Sequence, residues 1–393
     1  MQIYRLALKN FKCFKEVDVS FSKITLLTGE NSSGKSSLIY GLLAALQSIN
    51  PIGESFPYYL SLNGKYINMG GFKDVSFNHI LNNHLGIDIN LNEEEFQTIW
   101  SYDVLSKSPI LNYLNIPNLG EVKQKDDRTY NINLKLPEST NELDKEFYAS
   151  LNKNDFPEIV EGILDELNIH LSSFNFISSF RFHPDRTYYQ SLANNMVDRF
   201  GVGYIDQILR WNDNQSKELL DFVSILQDLK ILYNIKSYKL SGGRFEIRVK
   251  VKNKSKWESL PDVGFGISQF LPIIVADLQL SNNSTLIMSQ PEIHLHPSVQ
   301  ANLSDYLVKQ VKERNKNYIV ETHSEYLLNR MRLLIVKGEI QSEDVAVYYF
   351  ENSIKDGSVA HRIEFTKDGQ ILNAPKGFFE TYMIDTMDIA LNA

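Results

Sequence analysis

Apolar positions recur at two-residue spacing near the start of the chain and then shift to helical spacing. Ile3, Leu6 and Leu8, a break at Asn10–Phe14, then Val17, Val19 and Phe21 predict a strand, a turn and a second strand. Ile24–Leu27 is continuously apolar, as in a strand covered on both faces. Leu38–Leu46 has the apolar density of a buried helix. Short alternating pieces return at Leu85–Leu91 and Tyr130–Leu136, whereas Glu142–Leu151 and Glu158–Leu167 have the spacing of acidic helices. Phe174–Phe180 is largely apolar, and residues 204–232 are helical in period.

Ile231–Lys239 and Arg244–Val251 flank Leu240-Ser241-Gly242-Gly243, with Phe245, Ile247, Val249 and Val251 alternating with polar residues. That pattern predicts a hairpin. The last third alternates regularly. Helices are expected at Ser268–Leu280, Pro297–Arg314 and Glu325–Val336, and strands at Thr285–Met288, Asn317–Val320 and Val345–Phe350. Such β–α alternation predicts an α/β protein with a largely parallel sheet. The tail from Ala360 adds strand pieces and a Gly377-Phe378-Phe379 run.

Between the apolar strand and the apolar helix lies Gly29-Glu30-Asn31-Ser32-Ser33-Gly34-Lys35-Ser36-Ser37. It has the G-x-x-x-x-G-K-[ST] pattern in the strand–loop–helix setting that pattern requires. The two glycines permit backbone conformations that turn N–H groups inward onto phosphate, with a helix N-terminus behind them. Lys35 would reach the outer phosphates and the Ser36 hydroxyl would ligate Mg2+.

Length and charge add bounds. The 393 residues suffice for about two or three domains. A net charge of −8 does not mark a nucleic-acid binder, although a local basic groove on an acidic protein remains compatible with it. Cys13 is the single cysteine, which excludes an intrachain disulfide and a cysteine metal cluster. No run approaches the roughly 18 apolar residues of a membrane helix, and no secretion signal is legible, so a soluble cytoplasmic protein is expected.

Three further segments narrow the reading: Asp262-Val-Gly264-Phe-Gly266-Ile-Ser268-Gln269, then Leu286-Ile-Met-Ser289-Gln290-Pro-Glu292-Ile-His294-Leu-His296-Pro297, then Ile319-Val-Glu-Thr-His323-Ser. In order and spacing they resemble the signature, Walker B and switch-histidine segments of ABC-type ATPase heads, in the SMC, RecF and OLD-like branch of the AAA-family ATPases. The opening Leu-Lys-Asn-Phe-Lys-Cys-Phe segment is similar too. Bacterial head-only members ending in Pro-x-Gly-Phe-Phe, here Pro375–Phe379, are the nearest likeness. The resemblance covers residues 1–76 and about 174–385. It implies an ABC-type P-loop ATPase head with an inserted, partly helical lobe. The parts would be 1–79 with the phosphate loop, 80–173 as the inserted lobe, and 174–260 with the hairpin. The signature, Walker B and switch histidine would occupy 261–351, and the tail 352–393.

The resemblance further implies ATP and Mg2+ as cofactors, held by Gly29, Asn31, Ser32, Ser33, Gly34, Lys35, Ser36 and Ser37. Gly264, Gly266, Ser268 and Gln269 of a second subunit would complete the site, giving an ATP-sandwiched homodimer or higher oligomer. His323 would sense the γ-phosphate. Where such heads carry two acids, this chain has Ser289 and Gln290. Glutamine orients water but accepts no proton, and losing general-base help costs ~10²–10⁴-fold in rate. Glu292 is the nearest acid. ATP binding with slow or absent hydrolysis is therefore expected. By the same resemblance the head would act as an ATP-gated switch or scaffold controlling a separately encoded effector, in anti-phage defence. The alternative is a DNA-processing ATPase, whose local support is Lys250-Val-Lys-Asn-Lys-Ser-Lys-Trp257. His294 and His296 lack a third clustered ligand for a metal. Arg181 and Arg186 are candidates for nucleotide contact or a surface ion pair, Gln47 and Asp74 for a glutamine-loop role, and Cys13 is expected to be packed and inert.

Overall fold

The computed structural model describes residues 2–49, 60–92, 94–105, 107–117, 120–125, 129–135, 146–152, 173–190, 196–353, 357–375, 378 and 391. The chain divides into two compact units. One comprises Met1–Phe21, Gly29–Ser172 and Phe350–Ala360, and the other Ser22–Thr28, Ser173–Tyr349 and His361–Ala393.

In the first unit, β1 (Ile3–Phe11) and β2 (Phe14–Ser20) pair antiparallel across a tight turn at Lys12 and Cys13. Leu6, Leu8 and Phe11 of β1 and Phe14, Val17 and Val19 of β2 are buried, as their alternation requires. The chain then passes through β3 (Ile24–Gly29) into the glycine-bounded loop and α1 (Lys35–Ile49). α1 buries Leu38, Ile39, Leu42, Leu43 and Leu46 and packs on β1. The approach is close enough that a Cβ on Gly41 would lie 2.6 Å from Leu8 Cδ1. After the single turn α2 (Phe72–Val75), β4 (Leu85–Leu91) joins β1. An antiparallel meander follows through β5 (Glu94–Asp103), β6 (Ser108–Ile116), β7 (Gly120–Gln124), β8 (Thr129–Lys135) and β9 (Glu146–Asn152).

The last of these strands corrects a local expectation. Glu142–Leu151 has helical spacing of acidic residues, yet residues 146–152 form a strand in register with β8, with Ala149 opposite Ile132. Phe147 and Tyr148 favour a strand, and pairing with β8 prevails over a weak local period. The expected helix at Glu158–Leu167 lies outside the described residues.

The second unit holds a parallel sheet. β10 (Phe174–Ile177) precedes β11 (Tyr188–Tyr189), and α3 (Tyr204–Asp213) and α4 (Lys217–Asp228) follow as amphipathic helices. β12 (Asn234–Lys239) and β13 (Arg244–Lys250) form the expected hairpin, and β14 (Glu258–Ser259) pairs with β13. Then come α5 (Phe265–Gln279), β15 (Thr285–Ser289), α6 (Pro297–Arg314), β16 (Asn317–Glu321) and α7 (Glu325–Val336). β17 (Val345–Ser353), β18 (Gly357–Phe365) and β19 (Ile371–Leu372) complete the chain's strands among the described residues. β10, β15, β16 and β3 are parallel neighbours in that order. Every residue of β15 and β16 is buried, which explains the apolar runs Leu286–Met288 and Tyr318–Val320 at their centres. Leu27, Glu321 and Ser289 stand side by side at the carboxyl ends of β3, β16 and β15. Open α/β sheets bind ligands at that end.

Beneath α5 lies a buried polar knot. Lys316 Nζ is 3.1 Å from Asp277 Oδ1, and the Tyr306 and Tyr318 hydroxyls both donate to the same carboxylate. Of the expected Pro375–Phe379 motif, Pro375 and Phe378 are described, and Phe378 packs edge-on against Tyr349. Among the described residues no helix is long and apolar enough to cross a membrane.

Candidate functional site

The phosphate-loop sequence folds into a concave backbone. Gly29, Ser32 and Gly34 have φ of 130°, 60° and 106°, the left-handed side that glycine tolerates best. A Cβ on Gly29 would lie 2.2 Å from the Phe350 carbonyl oxygen, and one on Gly34 2.8 Å from the Phe14 ring. Ser33 is buried and donates to the Glu30 carbonyl at 2.7 Å. Lys35 is buried, with its ammonium on the carbonyls of Gly29, at 3.1 Å, and Glu30. The first i→i−4 bond of α1 runs from Leu38 N–H to Gly34. The N–H groups of the preceding turn, including Ser36 and Ser37, therefore sit at the positive end of a fifteen-residue helix. Asn31 and Ser32 are exposed on the rim, where Asn352 Nδ2 donates to the Ser32 carbonyl at 3.3 Å. A concave loop whose two glycines are packed too closely against Phe350 and Phe14 to take a Cβ, with a lysine on the loop's own carbonyls, fits a triphosphate with its Mg2+.

Beside the cradle, within the same unit, is a cavity of about 630 Å³ lined by Ser37, Lys12, Cys13, Asp74, His79 and Asn352, among others. That size suits a small-molecule site. Asp74 lines it, while Gln47 is committed elsewhere, donating to the Ser61 carbonyl. Cys13 is half-buried and faces this cavity, in contrast to the packed, inert thiol expected.

In the second unit, Ser289 is buried at the end of β15. Gln290 follows with φ of 47°, and its N–H donates to the Glu321 carbonyl at 2.7 Å. Arg181, 3% exposed, donates from Nη2 to the Gln290 carbonyl and from Nη1 to the Ser178 carbonyl, each at 3.2 Å. Burial lowers its pKa to about 10, with the Glu292 charge opposing. Glu292 is itself buried. Its Oε1 accepts the His323 N–H at 2.7 Å, and its Oε2 is buried without a hydrogen-bond partner. Burial raises the pKa of this carboxyl, against the pull of the His323 amide and of Arg181. His323 is exposed at the start of α7, whose N-cap, Ser324, accepts the Leu327 N–H at 3.1 Å. His296 caps α6 through Ser298. Arg186 pairs at the surface with Asp262 at 2.6 Å.

The glycine-rich segment does open a helix, three residues earlier than its spacing predicts. Gly264 is the exposed N-cap of α5, which begins at Phe265. A Cβ on Gly266 would lie 2.2 Å from the His294 carbonyl oxygen, so glycine lets α5 approach the loop after β15. Phe265 stacks on His183 at 4.2 Å and meets His294 at 4.8 Å. Ser268 and Gln269 point inward and are buried; Gln269 Nε2 donates to the Phe182 carbonyl at 3.2 Å. The competing Ser241–Gly243 segment is the hairpin turn. The structure thus gathers two hydrogen-bonded pairs, Arg181 with the Gln290 carbonyl and Glu292 with the His323 N–H, coupled by the opposite charges of Arg181 and Glu292. Arg181, a candidate in sequence for nucleotide contact or a surface ion pair, is buried against the Gln290 carbonyl, a contact that no local pattern announces.

Residues 1–328 match the family described as AAA ATPase domain. Residues 340–389 match a family described as a protein of unknown function (DUF3696). No curated protein matches the chain. Solved structures similar to it include the SMC head domain from Thermotoga maritima, with 13% identity, 93% of this chain and 100% of that one covered, and a TM-score of 0.44. An SMC head bound to the C-winged helix domain of ScpA shares 14% identity, with 93% and 98% covered and a TM-score of 0.47. An SMC head with an extended coiled coil, bound to the C-terminal domain of ScpA from Pyrococcus furiosus, shares 11% identity, with 99% of each chain covered and a TM-score of 0.46.

Proposed function

The chain belongs to the AAA ATPase domain family, and on that premise we propose that it is an ATP-binding head whose output is nucleotide-dependent closure rather than fast turnover. ATP with Mg2+ supplies the triphosphate charge for which the loop is shaped. The backbone of Gly29–Ser37 and Lys35 hold the phosphates, and the Ser36 hydroxyl ligates the cation. A second copy presents the exposed Gly264 end of its α5, the buried Ser268 and Gln269 shaping that end from within. His323, clasped by Glu292, reports the γ-phosphate.

The observation that carries the slow-turnover reading is at the end of β15, where Ser289 and Gln290 offer no carboxylate. Of the acids beside it, Glu292 is held at Oε1 by the His323 amide, and Glu321, opposite Ser289 on β16, is buried. Without a general base the chemical step is slower by ~10²–10⁴-fold, so the ATP-bound state persists. Persistence suits a switch that holds a homodimer, or a higher oligomer, in the form that engages a separately encoded effector. By the resemblance of its motifs, we assign this switch to anti-phage defence.

The test compares the parent with Ser289→Asp, Gln290→Glu and the double variant. Each is measured for ATP affinity, for turnover and, by light scattering, for mass with and without ATP and Mg2+. Tight binding, dimerisation with ATP and a turnover about 100-fold below the best restored variant are expected. Equal turnover in parent and double variant would end the slow-switch reading, and a monomer at saturating ATP would end the sandwich.

A further inference from the structure

β12 and β13 pair so that alternate side chains lie on opposite faces. Ile235, Phe245, Ile247 and Val249 are buried on one face. Lys236, Tyr238, Arg244, Arg248 and Lys250 share the other, and Tyr189 of β11, opposite Arg244, joins them 75% exposed. From Tyr233 to Ser259 the sequence carries eight lysines and arginines against two glutamates, in a chain whose net charge is −8.

One acid shares this face: Glu246, opposite Tyr238, is buried and neutralises Arg248, whereas Glu258 stands opposite Val249, on the other side of the sheet. Asp213 takes Lys239 at 2.9 Å. Lys236, Arg244, Lys250, Lys252, Lys254 and Lys256 have no ion pair among the described residues. Aromatic rings are interleaved with them. Lys236 lies over Trp257 and Arg248 over Tyr238, each at 4.3 Å, and Lys250 lies over Tyr233 at 5.6 Å. A solvated edge guarded by lysines accounts for the charges. It gives no reason for Tyr189, a large ring left exposed among the cations beside Tyr238, which carries Arg248 and is itself 46% exposed.

We propose that this face of the four-stranded sheet binds single-stranded nucleic acid, with phosphates on the unpaired cations and bases on the exposed tyrosines. A positive surface with aromatic platforms matches a polyanion that displays π-faces, and a single strand displays them while a duplex hides them in its stack. Lys252, Lys254 and Lys256, in the turn after β13, extend the phosphate track beyond the sheet. The binding needs no nucleotide at the phosphate loop, so it stands or falls separately from the ATP reading.

The test is fluorescence anisotropy of the full chain without ATP. The probes are labelled oligothymidylate and oligouridylate, an oligothymidylate–oligoadenylate duplex, heparin, and phosphatidylserine vesicles, over a range of salt. Expected are preference for a single strand over duplex and a linear fall of log affinity with log salt. In Lys252→Glu/Lys254→Glu/Lys256→Glu the salt slope should shrink by about 2. Tyr189→Ala/Tyr238→Ala should lose about tenfold or more on single strands and keep its affinity for heparin. Oligothymidylate and oligouridylate together tell DNA from RNA within the proposal. Absence of binding at low salt in melt-verified protein overturns it, as do equal affinities for single strand, duplex and heparin, tighter binding to vesicles, or tyrosine variants that bind like the parent.

Discussion

Glu292 Oε1 accepts the backbone N–H of His323 at 2.7 Å, so the acid after β15 fixes the start of the segment that carries His323. The contact joins two neighbouring parallel strands at their carboxyl ends.

This carboxyl gives stability a definite pH sign. Burial raises its pKa, so the folded state holds the proton more firmly than the unfolded chain. The contribution is fully present below the ordinary carboxylate pKa and is lost as pH rises through the raised value. Glu292→Gln keeps an acceptor for His323 and removes the loss. The melting temperature of the variant minus that of the parent should therefore grow from acid to neutral pH. A difference that stays flat or shrinks refutes the assignment. Glu292→Ala leaves the His323 N–H without its acceptor and should cost about 1–3 kcal/mol.

Asp277 is the linchpin of the buried knot, since Lys316 and two tyrosine hydroxyls converge on it. Lys316 is 1% exposed. Asp277→Ala strands that ammonium in the core, and breaking a buried pair costs about 3–5 kcal/mol. Urea unfolding should show this loss. Asp277→Leu with Lys316→Met removes both charges and should recover much of it. A double variant no better than the single would mean that the tyrosine hydroxyls, rather than the lysine, set the cost.

The helices of the last third were legible because their ends carry chemistry. Pro297 stands at the first turn of α6 and Ser324 caps α7, and both helices run between the residues their periodicity marks. The phosphate loop was legible for the same reason, its glycines and lysine being demanded by backbone geometry. The strand at 146–152 was not, because it is specified by β8 rather than by its own period. Nor was the inward turn of Ser268 and Gln269, which depends on where α5 packs. The aromatic face of the hairpin was half-legible: its lysines are visible in sequence, but Tyr189 reaches it through a strand about fifty residues earlier.

Two glycine substitutions should separate strain from clash. Gly29 has φ of 130° and Gly243 has φ of 71°, so alanine is strained at both. A Cβ at Gly243 meets nothing within 4 Å, whereas one at Gly29 meets the Phe350 carbonyl at 2.2 Å. Gly243→Ala should cost about 1–2 kcal/mol and leave ATP binding unchanged. Gly29→Ala must also move the backbone that shapes the cradle, so a larger loss of stability and loss of ATP binding are expected. Calorimetric melting and ATP titration of the two variants give the comparison. Equal behaviour would mean that the close approach to Phe350 does not shape the loop.

Cys13 offers a reporter on the phosphate loop. It is the chain's single cysteine, half-buried, and it lines the cavity together with Ser37. Its Sγ would lie 2.9 Å from a Cβ on Gly34, so it reaches the loop itself. A nucleotide whose phosphates occupy Gly29–Ser37 and whose nucleoside fills the cavity must cover this thiol. Maleimide labelling should slow by about tenfold when ATP with Mg2+ is ten times its dissociation constant, since only the unbound fraction reacts. Lys35→Ala should weaken ATP binding by about 1.5–3 kcal/mol, the worth of hydrogen bonds to a charged group, and cut protection at the same ATP concentration to less than about twofold. Inorganic triphosphate distinguishes the two parts of the site: it should compete with ATP for the loop while protecting Cys13 less. If ATP binds by titration and the labelling rate is unchanged, the nucleoside lies elsewhere and the cavity beside Ser37 serves another purpose.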